Sequence, residues 1–153
     1  MKFDYLFRGL SPEGVWVYGS LCLNPYDSAD VEIIDHSEIL LPRVSVRPET
    51  VGQWNGIVLE DGTRLFEGDI VAVCGRYPKL VLFDRKCAGF SLANVSDLID
   101  RDYRRLAWQH PDAGWWRQML TKIAVDGNIW ETEKYRWVQD AVKEYFEDED
   151  EDF

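Results

Sequence analysis

The stretch IVLEDGTRLFEGDIVAVC, residues 57–74, decides how this chain folds. Ile57-Val58-Leu59 and Arg64-Leu65-Phe66 flank Asp61-Gly62. A two-residue Asp-Gly loop suits a type I′ turn, because glycine accepts positive φ and aspartate tolerates it. Glu67-Gly68-Asp69 turns the chain again. Ile70 to Cys74 follows as a nearly continuous apolar strand, Gly75–Pro78 reads as a loop, and Leu80–Phe83 returns. A four-residue loop there sets Val73 opposite Leu80 and Val71 opposite Leu82, with all four on one face. Gly89–Leu92 alternates and adds another strand. Short strands spaced this closely predict a small barrel or a sandwich.

Upstream the same pattern continues. Phe3–Arg8 is a short apolar-rich run, and Ser11-Pro12-Glu13-Gly14 is a turn cluster. Val15–Tyr18 and Leu21–Leu23 are rich in β-branched, aromatic and leucine side chains and read as strand, broken by Asn24-Pro25-Tyr26-Asp27. Val31–Ile34 and Ile39–Val46 each predict a strand, and Pro42 puts the second at a sheet edge.

Downstream, helix signals appear. Ser96 caps a predicted segment with Ile99, Tyr103 and Leu106 on one face and i,i+4 pairs Asp97–Arg101 and Asp100–Arg104. Residues 110–114 read as a loop. Ala124–Trp130, bent at Asp126-Gly127, predicts a closing strand. A longer helix from Thr132 carries an apolar stripe of Tyr135, Val138, Ala141, Val142 and Tyr145. Trp137 and Phe146 widen that stripe beyond what one contact with a small barrel needs, which predicts self-association into a homo-oligomer; the alternative is that the helix folds back and caps its own barrel.

The 153 residues are 46% apolar and 14% aromatic, material enough for a packed core in one domain or one with an appendage. Net charge is −11, and taking away the six acids of Glu147–Asp152 leaves −5 on the remainder. Such a chain repels bare nucleic acid and anionic membrane. The acidic run repels itself and is expected to be disordered over residues 148–153. No apolar run approaches membrane-spanning length, and the first residues do not read as a signal peptide. Cys22, Cys74 and Cys87 form no C-x-x-C pair, so reduced thiols buried as small hydrophobes in a cytoplasmic protein are expected.

Four segments resemble the YopX family of phages and prophages. Val15–Leu21 is similar to its WVYG segment, and Pro48–Gly56 to PETVGQYTG. Leu65–Val71 is similar to IYEGDIV, and Gly127–Glu131 to GNIYEN. They occur in family order and span Val15 to Glu131. The resemblance implies a mainly β fold with an SH3-like small β-barrel in the second half, and it implies no established biochemical activity. The expected organisation is an N-terminal β segment over 1–46 and the barrel over 47–131, with a helical insertion near 96–118. A C-terminal α-helix over 132–147 and the tail follow.

Few residues suggest chemistry. Asp35-His36-Ser37-Glu38 has triad residue types, but sequence neighbours rarely converge, and the cluster reads as a polar turn. Glu67 and Asp69 lack further ligands at a known spacing. His110 has no metal partners visible in the sequence, and there is no P-loop or G-x-S-x-G. No catalytic residue, metal or cofactor is therefore expected. Trp54, Trp115, Trp116, Arg117 and Trp137 are the candidate interaction residues, since aromatics with arginine nearby form binding hot spots, although tryptophan more often packs inside. Arg101, Arg104 and Arg105 are neutralised by Asp97, Asp100 and Asp102 and read as a solvated face. The expected function is non-catalytic binding of a host or phage protein. The alternative is an acidic decoy that mimics nucleic acid and occupies a host DNA-binding protein.

Overall fold

The structure is a computed structural model and describes residues 6–151. It is mainly β, with two antiparallel sheets and a C-terminal helix, and it divides into two compact units, Met1–Gly56 and Ile57–Phe153. The boundary falls ten residues later than the sequence predicts, because Gly52 and Gln53 pair with Arg8 and Phe7 in the first unit.

The first unit holds strands β1 (Phe7–Leu10), β2 (Trp16–Asn24), β3 (Asp27–Asp35) and β4 (Arg43–Ser45), with β5 (Gly52–Val58) crossing the boundary. Their order is β4-β3-β2-β1-β5. Leu21 faces Ile33 and Ile33 faces Val44, so alternate residues supply one apolar face. Val17, Val31, Ile33 and Val46 form its buried centre. A 3₁₀ turn at Pro48–Thr50 is pinned by Thr50, whose Oγ1 accepts the Leu10 N–H at 2.9 Å and donates to the Arg47 carbonyl at 2.7 Å. The predicted strand over 39–46 shrinks to β4. Residues 36–40 turn instead, and Leu41 takes φ 47°, which breaks an extended run. Residues 1–5 lie outside the described residues.

In the second unit the end of β5 turns back into β6 (Arg64–Phe66). The loop has three residues, not two. Leu59 N–H donates to the Thr63 carbonyl at 2.8 Å, and only Gly62 of the loop takes positive φ. Strands β7 (Asp69–Val73), β8 (Arg76–Asp84), β9 (Gly89–Asn94) and β10 (Ile123–Asn128) then form a sheet in the order β10-β7-β8-β9. The predicted β7–β8 hairpin forms, but its register is different. Ile70 faces Leu80, Val71 faces Lys79 and Val73 faces Arg76. Cys74 (φ 55°) and Gly75 (φ 70°) make a two-residue turn, and Tyr77 (φ 50°) bulges out of β8. Val73 and Leu80 therefore lie on opposite faces, contrary to the expectation.

Both faces of this sheet are covered, which explains apolar runs without alternation. Ile70, Leu80, Leu82 and Ala93 pack under α1 (Val95–Ile99) and α3 (Val138–Glu151). Val71, Val81 and Leu92 pack with Leu59 and Leu65 and with Trp116 of α2 (Ala113–Met119). A closed barrel is not formed among the described residues.

The helices depart from the sequence reading in their limits. The first stops at Ile99, because Arg101 takes φ 55°, and Tyr103–Trp108 continues as a 3₁₀ turn. The expected i,i+4 pairs give way to Arg105 with Asp97 (3.8 Å) and Asp102 (3.3 Å), Arg104 with Asp102 (3.4 Å), and Arg101 with Glu144 (3.4 Å). The supposed loop at 110–114 starts α2, whose first turn is capped by the Asp112 carboxylate accepting the Trp115 N–H at 2.8 Å. Thr132 does not cap the last helix. Its Oγ1 accepts the Asn128 N–H at 3.1 Å, a 3₁₀ turn follows at Glu133–Tyr135, and α3 begins at Val138.

The stripe itself forms as read. Tyr135, Val138, Ala141 and Tyr145 are buried in this chain, with Trp137, Val142 and Phe146 packed at its edges. The apolar face that motivates self-association is thus met within the chain. The helix also runs to Glu151, so residues 148–151 of the stretch expected to be disordered are helical, while residues 152–153 lie outside the described residues.

Candidate functional site

The expected aromatic surface is dispersed. Trp116 is buried at 7% exposure in the core, with its ring 5.2 Å from that of half-buried Trp115. Arg117 on the same helix is exposed, and its Nε–H donates to the Ala113 carbonyl. Trp137 packs at the edge of the α3 core, and Trp54 lies half-buried on β5 of the first unit. The carboxylates of the Glu67–Asp69 turn serve the backbone. Asp69 accepts the Phe66 N–H at 2.8 Å and Glu67 accepts the Phe83 N–H at 3.1 Å.

In the first unit the outstanding feature is the turn after β3. Ile39 is 99% exposed and Leu40 91%, with Leu41 beside them also exposed. The turn that carries them is well tied. Leu41 N–H donates to the Glu38 carbonyl at 3.1 Å and Asp35 N–H to the Pro42 carbonyl at 2.9 Å. The Asp35 carboxylate accepts both the Ser37 N–H and its hydroxyl, at 2.9 and 2.6 Å. The Ser37 hydroxyl, then its N–H, hold the Asp35 pKa below the usual carboxylate value. His36 Nε2 lies 2.6 Å from Ser20 Oγ. Asp35–Glu38 is thus a polar turn, as its sequence suggests, and its hydrogen bonds present an apolar tip. Tyr26, also exposed, sits at the opposite end of β3 and does not join it.

The second unit assembles a cluster that the sequence conceals. Asp84 ends β8, Cys87 lies in the β8–β9 turn, and His110 precedes α2. One ligand atom from each lies within 4.8 Å of the others. Cys87 Sγ is 3.2 Å from His110 Nε2 and 3.5 Å from Nδ1, and His110 Nε2 is 3.9 Å from Asp84 Oδ2.

Neighbouring bonds fix Asp84 and the chain beside His110. Asp84, 1% exposed, accepts the Tyr145 hydroxyl at 3.2 and 3.1 Å on its two oxygens and the Lys86 N–H at 3.0 Å. Gln109 holds the strand of chain beside His110. Its carbonyl accepts the Leu92 N–H at 3.1 Å, its Oε1 accepts the Asn94 N–H at 3.1 Å, and its Nε2 donates to Asp97 at 3.1 Å. This stitching also covers the open edge of β9. A groove of about 370 Å³ adjoins His110, bounded by Lys79, Leu92, Pro111 and Trp115.

A thiol, an imidazole and a carboxylate in mutual reach can act as an activated nucleophile or as a ligand set. Nucleophilic use requires a thiolate at neutral pH. Here partial desolvation of this mostly exposed side chain, then the Asp84 charge, push the Cys87 thiol up, which favours its protonated form. Contrary to the expectation of buried thiols, Cys74 and Cys87 are exposed and Cys22 is half-buried. In the sequence, only the Asp84-x-x-Cys87 spacing in front of a glycine turn hinted at the cluster. His110 joins through tertiary packing alone.

No protein-family model matches the chain, and no curated protein matches it. No helix among the described residues is long and apolar enough to cross a membrane.

Proposed function

We propose that the chain is a YopX-like protein of phage or prophage origin that works in the bacterial cytoplasm by binding a protein partner, without catalysis. The observation that carries this reading is the hydrogen-bonded turn presenting Ile39 and Leu40 almost fully to solvent. Adjacent exposed leucine and isoleucine side chains on an ordered support lose little entropy on docking and gain from leaving water. The four family-like segments support the family. The short antiparallel strands β6–β10 support an SH3-like reading of the second unit.

Capture from host lysate with the parent chain and with an Ile39→Asp/Leu40→Asp variant tests the proposal. A partner held by the parent, retained as salt rises and lost in the variant is the expected result. A partner kept by the variant and released steeply with salt would instead favour the decoy reading, which rests on the net charge of −11.

A further inference from the structure

We propose that Asp84, Cys87 and His110 form a three-ligand site for a zinc-class divalent cation, with a fourth coordination position left open. The geometry carries the proposal. Zinc binds thiolate sulfur at about 2.3 Å and imidazole nitrogen or carboxylate oxygen at about 2.0–2.2 Å, so tetrahedral ligand pairs stand roughly 3.3–3.7 Å apart. The observed separations of 3.2 Å for Sγ–Nε2 and 3.9 Å for Nε2–Oδ2 bracket that range. Small rotations of the two partly open side chains, Cys87 and His110, bring the set to bonding distance around the fixed Asp84.

The donor set also suits the ion. One soft thiolate, one imidazole and one carboxylate match a borderline cation rather than magnesium or calcium, which take oxygen ligands. The surroundings have the form of a supported metal site. The Asp84 carboxylate is oriented by the Tyr145 hydroxyl and the Lys86 N–H, as metal-ligating carboxylates are. The ion would offset the burial of the Asp84 charge. On binding, the Cys87 Sγ–H bond breaks and its proton goes to solvent, leaving the thiolate on the metal. Three protein ligands leave a fourth position for water or a small anionic ligand.

Cobalt(II) and zinc added to chelator-stripped full-length protein test the site. Cobalt should saturate at one equivalent, giving sulfur-to-cobalt charge-transfer absorption and tetrahedral ligand-field bands that zinc then abolishes. Zinc should raise the melting temperature. Cys87→Ser should remove the charge-transfer band, and His110→Ala should weaken zinc binding at least tenfold. Both metal-free variants should melt close to the parent, because neither side chain is core. A band that persists in Cys87→Ser would overturn the assignment, since the sulfur would then come from Cys22 or Cys74. So would a melting temperature and spectrum that excess metal leaves unchanged.

Discussion

Glu67 and Gly68 show how much rests on single residues in the turn before β7. Gly68 takes φ 94°, and a Cβ there would meet the Trp130 indole nitrogen at 2.8 Å, so the turn is closed to side chains. Glu67 is half-buried behind the same turn, and burial raises its pKa above the ordinary 4.5 despite the Phe83 N–H that it accepts. The folded chain therefore holds this proton more tightly than the unfolded chain does. The penalty for ionising Glu67 is absent below the ordinary value, grows as pH rises through the folded value, and is complete above it. Glu67→Gln keeps a carbonyl oxygen for Phe83 and cannot ionise. Its melting temperature should exceed the parent's at neutral pH and equal it in acid. A loss confined to neutral pH would show instead that the carboxylate stabilises the turn in its charged form.

At the level of elements, the β7–β8 hairpin depends on Cys74 and Gly75, which both adopt positive φ as a type I′ turn requires. Cysteine is a poor choice there and asparagine a good one. Cys74→Asn should stabilise the fold by about 0.5–1 kcal/mol, read from the urea midpoint, because asparagine is several-fold enriched in that backbone region. A lowered midpoint would mean that the Cys74 side chain contributes packing. This hairpin also shows what the sequence could convey. The apolar runs at Ile70–Val73 and Leu80–Phe83 announced two strands and an intervening turn, but a sheet buried on both faces lacks the alternation that fixes register. The choice between a two-residue and a four-residue loop was therefore invisible. The α3 stripe was legible, because its helical period survives burial on one side. The start of α3 was not, since Thr132 bonds to Asn128 across a tight turn rather than capping a helix. The Asp84–Cys87–His110 cluster had the least chance of being seen, because 23 residues separate its cysteine from its histidine.

Over the whole molecule, each unit has its own apolar centre, built around Ile33 in the first and around Leu98 and Val81 in the second. Ile33→Ala and Leu98→Ala each empty a fully buried position, and each should cost about 2–5 kcal/mol locally. Amide hydrogen exchange should report that loss by unit. Ile33→Ala should release β1–β4, and Leu98→Ala should release β7–β9. Uniform loss of protection across both units in either variant would show a single cooperative core. The order in which the chain presents these centres differs as well. All the strand partners of β1–β4 have been made by Gly56, so the first unit can close early in synthesis. In the second unit β10 is the neighbour of β7, and Tyr145 of α3 must reach back 61 residues to Asp84. Until those segments emerge from the ribosome, Ile70, Leu80 and Leu82 lack their cover. A ribosome stalled between Asn94 and Val138 would hold a finished first unit and a second that chaperones and proteases can still seize.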